Sequence, residues 1–372
     1  MKKIFIILFL FLSCTALATN YYVKNGGNDG AAGTSDATAW ATIAKVNASS
    51  YNPGDNVLFK RGDTWRITTA DGYLNTKSGT SAGNVIYSSY GTGVKPLFLG
   101  SKEENSTDDW VDQGGNLWRN SDASFDLRYG PGNLIFNSEA SSGYRVFTTP
   151  TVQGRWSWDY TNHWITLYSV GNPATYYSDI EVALSIYPGI INVTNDRSYI
   201  TIDGFDVRYG AWLGISMSSG ANNINIRNNN VTWIGGSSAS EGSSTRLGNG
   251  IQLYGNGVNI LIENNFVENI YDSGISPQWW SASTLTITNF RVQNNIISKC
   301  DLTSFEMVWS VPNGMINGFY FENNTCVNAG KGWAIAQRTS STTSAGNNIR
   351  AADGSTITFQ NCYIRNNIFY QR

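Results

Sequence analysis

Ionisable side chains are scarce in this sequence. Asp, Glu, Lys and Arg make up 14% of its 372 residues, His163 is the one histidine, and the formal net charge is −2. A chain so nearly neutral offers no basic face to nucleic acid or to an anionic membrane. One histidine excludes a histidine-rich metal site and a His-based triad with a spare. Cysteine is sparse too: beyond residue 18 only Cys300, Cys326 and Cys362 remain. An odd count argues against a disulfide framework, and Cys326 and Cys362 fall at apolar positions that suit buried thiols. Long apolar runs are also missing. Residues 4–12 form the longest, after Lys2-Lys3 and before Ala16-Leu17-Ala18. That run is too short to span a bilayer and reads as a secretory signal over residues 1–18. The expected location is periplasmic or extracellular, with lipid attachment at Cys14 as an alternative and no transmembrane segment.

What is abundant is glycine (38), asparagine and aromatic residues (13 Trp, 20 Tyr, 16 Phe), a composition for β structure with many turns. The pattern apolar-x-apolar-x-Asn-Asn-x-apolar recurs. It reads Ile224-Asn-Ile-Arg-Asn-Asn-Asn-Val231, Ile260-Leu-Ile-Glu-Asn-Asn-Phe-Val267, Phe290-Arg-Val-Gln-Asn-Asn-Ile-Ile297, Phe319-Tyr-Phe-Glu-Asn-Asn-Thr-Cys326 and Cys362-Tyr-Ile-Arg-Asn-Asn-Ile-Phe369. A degenerate copy, Ile200-Thr-Ile-Asp-Gly-Phe-Asp-Val207, keeps the apolar frame without the Asn pair. Each copy predicts a strand, a bend and a short second strand. Counted from Gly204 and from the first Asn of each later pair, the steps are 24, 36, 30, 29 and 43 residues. Steps of that size suit the coils of a parallel β-solenoid, the longer ones carrying inserted loops. Asparagines stacked at one bend can pass a hydrogen bond from amide to amide, which makes them scaffold.

Residues 19–100 read as an N-terminal cap, with a short helix within 38–47, and the first coils. Residues 101–185 break the repeat and read as a β-rich insertion. Residues 186–372 carry the remaining coils. No capping segment follows Phe369, so the solenoid is expected to be incomplete at its C-terminal end. The expected fold class is therefore all-β: a right-handed parallel β-helix with a cap helix and an insertion.

The opening Tyr21-Tyr-Val-Lys-Asn-Gly-Gly-Asn-Asp-Gly, the segment Pro53-Gly-Asp-Asn-Val-Leu-Phe-Lys-Arg-Gly-Asp-Thr-Trp65 and the Asn-Asn coils resemble secreted bacterial β-helix proteins of the pectate-lyase-like superfamily. The resemblance spans nearly the whole mature chain. It is specific for fold and weak for reaction, because that superfamily holds lyases, glycosidases, epimerases and adhesins. It implies a polysaccharide partner lying along one parallel sheet, beside the loops that lead into it. Here those are the Gly-Ile-x-x strands and the polar insertion 235–246. No complete catalytic motif of a single lyase family is present.

Counting from the repeat sorts residues into columns. Ile215, Ile251, Ile275, Phe305 and Ala334 face inward, and Ser216, Gln252, Ser276, Glu306 and Ile335 outward. The outward strip predicts a substrate surface of Gln252, Ser276, Gln278 and Gln337, with Trp333 as an aromatic platform. The charged residues of the entering turns supply candidate chemistry: Glu306, Asp272, Arg246, Lys331, Arg338 and, beside them, Tyr271. In a β-elimination on a uronate polymer, Arg246, Arg338 or a calcium ion on Asp272, Asp301 and Glu306 would neutralise the sugar carboxylate, and Lys331 or Tyr271 would take the proton. A polysaccharide lyase is the leading expectation, with calcium as the possible cofactor, no organic cofactor, and a monomeric state. The alternatives are a glycoside hydrolase working through Asp272 and Glu306 and a non-catalytic glycan-binding solenoid.

Overall fold

The computed structural model describes residues 18–338, 345–353 and 356–372. Most of the signal-like segment, with Cys14, lies outside them. Three parallel sheets run the length of the molecule. The first has ten strands, from Asn20–Val23 through Ser198–Asp203, Ala221–Arg227, Gly257–Glu263, Leu285–Gln293 and Asn313–Glu322 to Thr356–Gln360 and Tyr363–Arg365. The second has seven: Leu74–Asn75, Ile191–Val193, Ile215–Ser218, Ile251–Tyr254, Ser273–Trp280, Thr303–Ser310 and Asn347–Asp353. The third has eight and includes Asp206–Arg208, Asn230–Ile234, Phe266–Ile270, Ile296–Ser298 and Thr325–Val327. Successive strands of one sheet come from successive coils, which makes the chain a parallel β-helix. Among the described residues no helix is long and apolar enough to cross a membrane.

The Asn pair sets the corner between the first and third sheets. Its first member takes a left-handed conformation at each coil (Asn228, Asn264, Asn294, Asn323 and Asn366, φ 55 to 58°), and Gly204 does the same at φ 82° in the degenerate copy. Asparagine and glycine are the residues that tolerate this conformation. The second member points inward and forms the ladder. The Asn229 amide donates to Asn265 at 3.1 Å, Asn265 to Asn295 at 3.0 Å, Asn295 to Asn324 at 3.0 Å and Asn324 to Asn367 at 3.2 Å. Asn265 also donates to the Ile226 carbonyl, and its oxygen takes the Asn229 backbone N–H, so every polar atom of this buried amide has a partner. Next to the ladder, apolar side chains stack in register, such as Ile202, Ile226, Ile262, Val292 and Phe321, all buried. Cys300 and Cys326 are buried free thiols, as their apolar setting predicts for Cys326, whereas Cys362 is half-buried.

The helix at the N-terminal end spans Ile43–Ala48, capped by Thr42, whose side chain accepts from the Lys45 N–H. Between residues 101 and 183 the chain leaves the coils. It forms a four-stranded sheet and a five-stranded sheet whose pairings are antiparallel except that of Tyr144–Arg145 with Arg155–Asp159.

The ladder leads to a stability prediction. Replacing Asn265 by Ala strands donors and acceptors on both neighbouring coils and should cost about 3 kcal/mol in urea unfolding. Asn264→Ala only forces alanine into a left-handed turn, about 1 kcal/mol. A larger loss at 264 than at 265 would contradict the ladder's role.

Candidate functional site

The second sheet carries an outward column through Asn75, Asn192, Ser216, Gln252, Ser276, Glu306 and Arg350. The sequence places Ile335 after Glu306; the structure places Arg350 there. Residues 335–337 form a 3-10 turn, and the next strand of this sheet is Asn347–Asp353. The coil of 43 residues therefore carries its extra length before the second-sheet strand, and the column count slips at that point.

Over the stretch of this column from Asn192 to Gln252 lies a cleft of about 990 Å³; Ser276, Glu306 and Arg350 are not in its lining. Its floor includes Asn192, Ser216, Gln252 and Gln278, and Asp272 also lines it. Tyr187, Trp212, Tyr254 and Trp280 supply aromatic surface. The Gln252 oxygen accepts from Asn249 at 2.7 Å and from Gln278 at 2.8 Å. Two donors on one oxygen fix the amide so that its own N–H pair is offered elsewhere. Tyr254 and Trp280 stack with centroids 6.4 Å apart, while Tyr254 is 38% and Trp280 49% exposed. Ser276 faces outward as expected but is fully buried, with its hydroxyl unpartnered among the described residues.

The two carboxyl groups singled out by the sequence sit in the same part of the second sheet. Asp272 is 7% exposed and accepts from Arg338 at 2.9 Å. Burial pushes its carboxyl above the ordinary range, and the Arg338 charge opposes this. Glu306 is 5% exposed, accepts from the Ser273 hydroxyl at 2.9 Å and pairs with Arg350. Its carboxyl is also pushed up, first by burial and then by the negative charge of Asp272, against Arg350 and Ser273. Ser273 in turn takes a hydrogen bond from Thr303 at 3.0 Å, which holds the hydroxyl toward Glu306.

The remaining expected residues are placed differently. Arg246 is buried, and its guanidinium donates to Gly236 O (2.7 Å), Gly132 O (2.6 Å) and the Gln337 amide oxygen (3.1 Å). Burial without a carboxylate partner lowers its pKa to about 10. It cannot also meet a substrate carboxylate; it fastens the coils to the 101–183 region. Gln337 is a buried strut in the same seam, accepting from the Arg145 N–H and donating to Gly143 O. Trp333 is no outer platform. It packs beside Trp233 and Tyr271 and donates to Asn269 O at 3.2 Å. Tyr271 is 1% exposed between the Arg246 and Arg338 guanidinium groups, and burial raises its pKa, the wrong direction for a base. Lys331 is exposed in a turn and is absent from the cleft lining.

The calcium set does not assemble. Asp301 is fully buried, accepts from the Ala334 N–H at 3.0 Å, and leaves its other oxygen unpartnered among the described residues. Asp272 and Glu306 are already held by Arg338 and Arg350. Among the described residues no group of three acidic, His or Cys side chains could hold a metal ion. Burial drives the Asp301 carboxyl well above its usual range, with Arg338 and Arg246 opposing and Asp272 adding to the rise.

Sequence reasoning passed over Asn192, Tyr187, Trp212 and Arg350. Trp212 was within reach, since it lies eight residues after Gly204, just as Asp272 lies eight after Asn264. Asn192 and Tyr187 precede the first repeat copy, where no anchor existed to count from.

No family model matches the chain. Among curated proteins, 82 residues, 21% of the chain, are 38% identical to a lacto-N-biosidase of Bifidobacterium longum subsp. longum, and the match spans 5% of that protein's length. Solved structures with a similar backbone include a XylC–xylose complex (TM-score 0.48, 14% identity, 84% of this chain and 67% of that one). Others are a GH136 lacto-N-biosidase from Eubacterium ramulus (0.40, 11%, 92% and 68%) and the pectate lyase Pel9A (0.39, 13%, 95% and 80%).

Two outcomes are expected from this seam. Arg246→Gln should lower the melting temperature by several degrees, because it removes a buried charge from carbonyl groups that then lack donors. A purely functional arginine would leave melting unchanged. Asp301 has a raised folded pKa, so its contribution to stability is present in acid and is lost as pH rises through that pKa. Relative to Asp301→Asn, the wild-type melting temperature should fall as pH rises above the ordinary carboxylate range of about 4. Parallel melting curves for the two proteins would refute this.

Proposed function

We propose that this chain is a secreted carbohydrate-active enzyme, a glycoside hydrolase that lays a glycan across successive coils of the second sheet. The observation that carries the reading is a cleft lined by Asp272, with the buried Glu306 behind the lining and within reach of the Asp272 charge. The cleft offers amides, hydroxyls and exposed aromatic rings, the groups that hold a sugar's hydroxyls and its apolar faces. Asp272 lines it, and the charge of Asp272 helps keep Glu306 protonated. Two interacting carboxyl groups, both raised by burial, can supply the acid and base of glycoside cleavage. Glu306 acts as the acid that protonates the departing oxygen. Asp272, ionised against Arg338, acts as the base or nucleophile. The lacto-N-biosidase resemblance, though limited to 82 residues, is to a protein named for acting on a glycan.

Three residues expected to carry β-elimination do not meet the cleft. Arg246 is saturated by carbonyl groups, Tyr271 is buried, and Lys331 is outside the cleft.

Asp272→Asn and Glu306→Gln should each lower turnover by about 100-fold or more while the protein still retains glycan in affinity electrophoresis. Activity should fall as pH rises through the elevated Glu306 pKa, because the protonated form is required. New reducing ends without the ultraviolet absorbance of a C=C bond are the expected product. Appearance of that absorbance would assign β-elimination instead, and full turnover in both variants would place the chemistry elsewhere.

A further inference from the structure

Arg128 stands out among the cleft residues. It comes from the 101–183 region rather than from a coil, and it sits in a left-handed conformation at φ 54°. Its guanidinium carbon lies 3.9 Å from the Tyr187 ring centroid and 4.3 Å from that of Trp212, with Tyr129 at 4.9 Å. Arg128 is exposed, and all but Tyr129 of this group line the cleft. Among the described residues the guanidinium has no ion pair and no hydrogen bond.

The planes of Tyr187 and Trp212 meet at 58°, so the guanidinium can lie flat on only one of them, and neither ring offers an oxygen to its five N–H donors. Two aromatic contacts therefore hold a charged fork in place, reduce the freedom it would lose on binding, and keep its donors for a ligand. The other charged groups lining the cleft are Asp71 and Asp272. Asp272 is held by Arg338, and Asp71 forms no ion pair with Arg128. The contrast with Arg246 is direct. There every nitrogen of a buried guanidinium faces a protein oxygen, whereas Arg128 has none.

We infer that Arg128, clamped by Tyr187 and Trp212, is a subsite for a carboxylate on the bound glycan, so the substrate of this cleft contains an acidic sugar. The inference rests on the reading that the cleft binds glycan. It is independent of which bond is cleaved. A planar carboxylate matches the fork with two parallel hydrogen bonds. A lysine at the same place would supply charge without that match.

The test is calorimetric titration of the full chain with oligosaccharides of galacturonate and glucuronate, each beside its methyl ester of equal length. The acids should bind about 10- to 100-fold more tightly than the esters. Arg128→Gln should abolish the difference by weakening the acids to the level of the esters, and Arg128→Lys should lose most of it. Unchanged melting temperatures would confirm that both variants fold. Equal affinity for acid and ester would overturn the carboxylate subsite while leaving the glycan cleft standing. Retention of the full preference in Arg128→Gln would place the subsite elsewhere and overturn it as well. A sulfated, esterified oligosaccharide bound as tightly as the acid, and kept by Arg128→Lys, would replace carboxylate recognition by plain charge. Binding of neither acids nor esters, with neutral oligosaccharides also failing, would overturn the glycan reading and this subsite together.

Discussion

The buried asparagine ladder is the interaction on which the rest depends. Each rung gives two amide hydrogen bonds and takes two, in a place where an unmet amide would be costly. It therefore fixes the stacking register at one corner of the coils from Asn229 to Asn367. Once that corner is set, side-chain alternation decides which residues enter the core and which reach the surface. The isoleucine and valine columns then bury themselves, and the second sheet turns its polar column outward. Coil length is free to vary, because the ladder fixes only the corner. Steps from 24 to 43 residues are accommodated without disturbing the register.

The cleft arises from this freedom. The coils supply a regular polar floor. Irregular segments supply what a repeat cannot: an aromatic wall at Tyr187 and Trp212, and Arg128 from the antiparallel region. The acids Asp272 and Glu306 are coil residues, but their state is set by their neighbours. Burial raises both, and the arginines that temper them, Arg338 and Arg350, come from the long last excursion and from the strand after it.

Periodicity made the scaffold legible. The spacing of the Asn pairs gives the coil steps, the inward columns and the scaffold role of the asparagines, and these depend on local rules that recur. Gln252, Gln278 and Asp272 were found at the cleft because they lie in coils with good anchors. Arg246, Gln337 and Trp333 were expected at the surface and lie in a seam. Alternation says which way a side chain leaves its sheet, not what covers it, and the cover comes from residues more than ninety positions away. Ile335 was given the place of Arg350 because an insertion inside a coil is invisible to a count that starts at its corner.

Arg145 and Arg246 share one further property. Both are buried at the seam between the coils and the antiparallel region, and neither guanidinium meets a carboxylate: Arg246 donates to two carbonyl groups and Gln337, while Arg145 donates to Pro131 O and the Tyr160 hydroxyl and its backbone N–H also meets Gln337. A buried charge of this kind is tolerated only while every one of those oxygens stays in place. The two bodies are thus interlocked through these bonds: a substitution on one side of the seam leaves buried polar groups unmet on the other. The region that presents Arg128 to the cleft has for that reason little freedom to be exchanged or lost on its own.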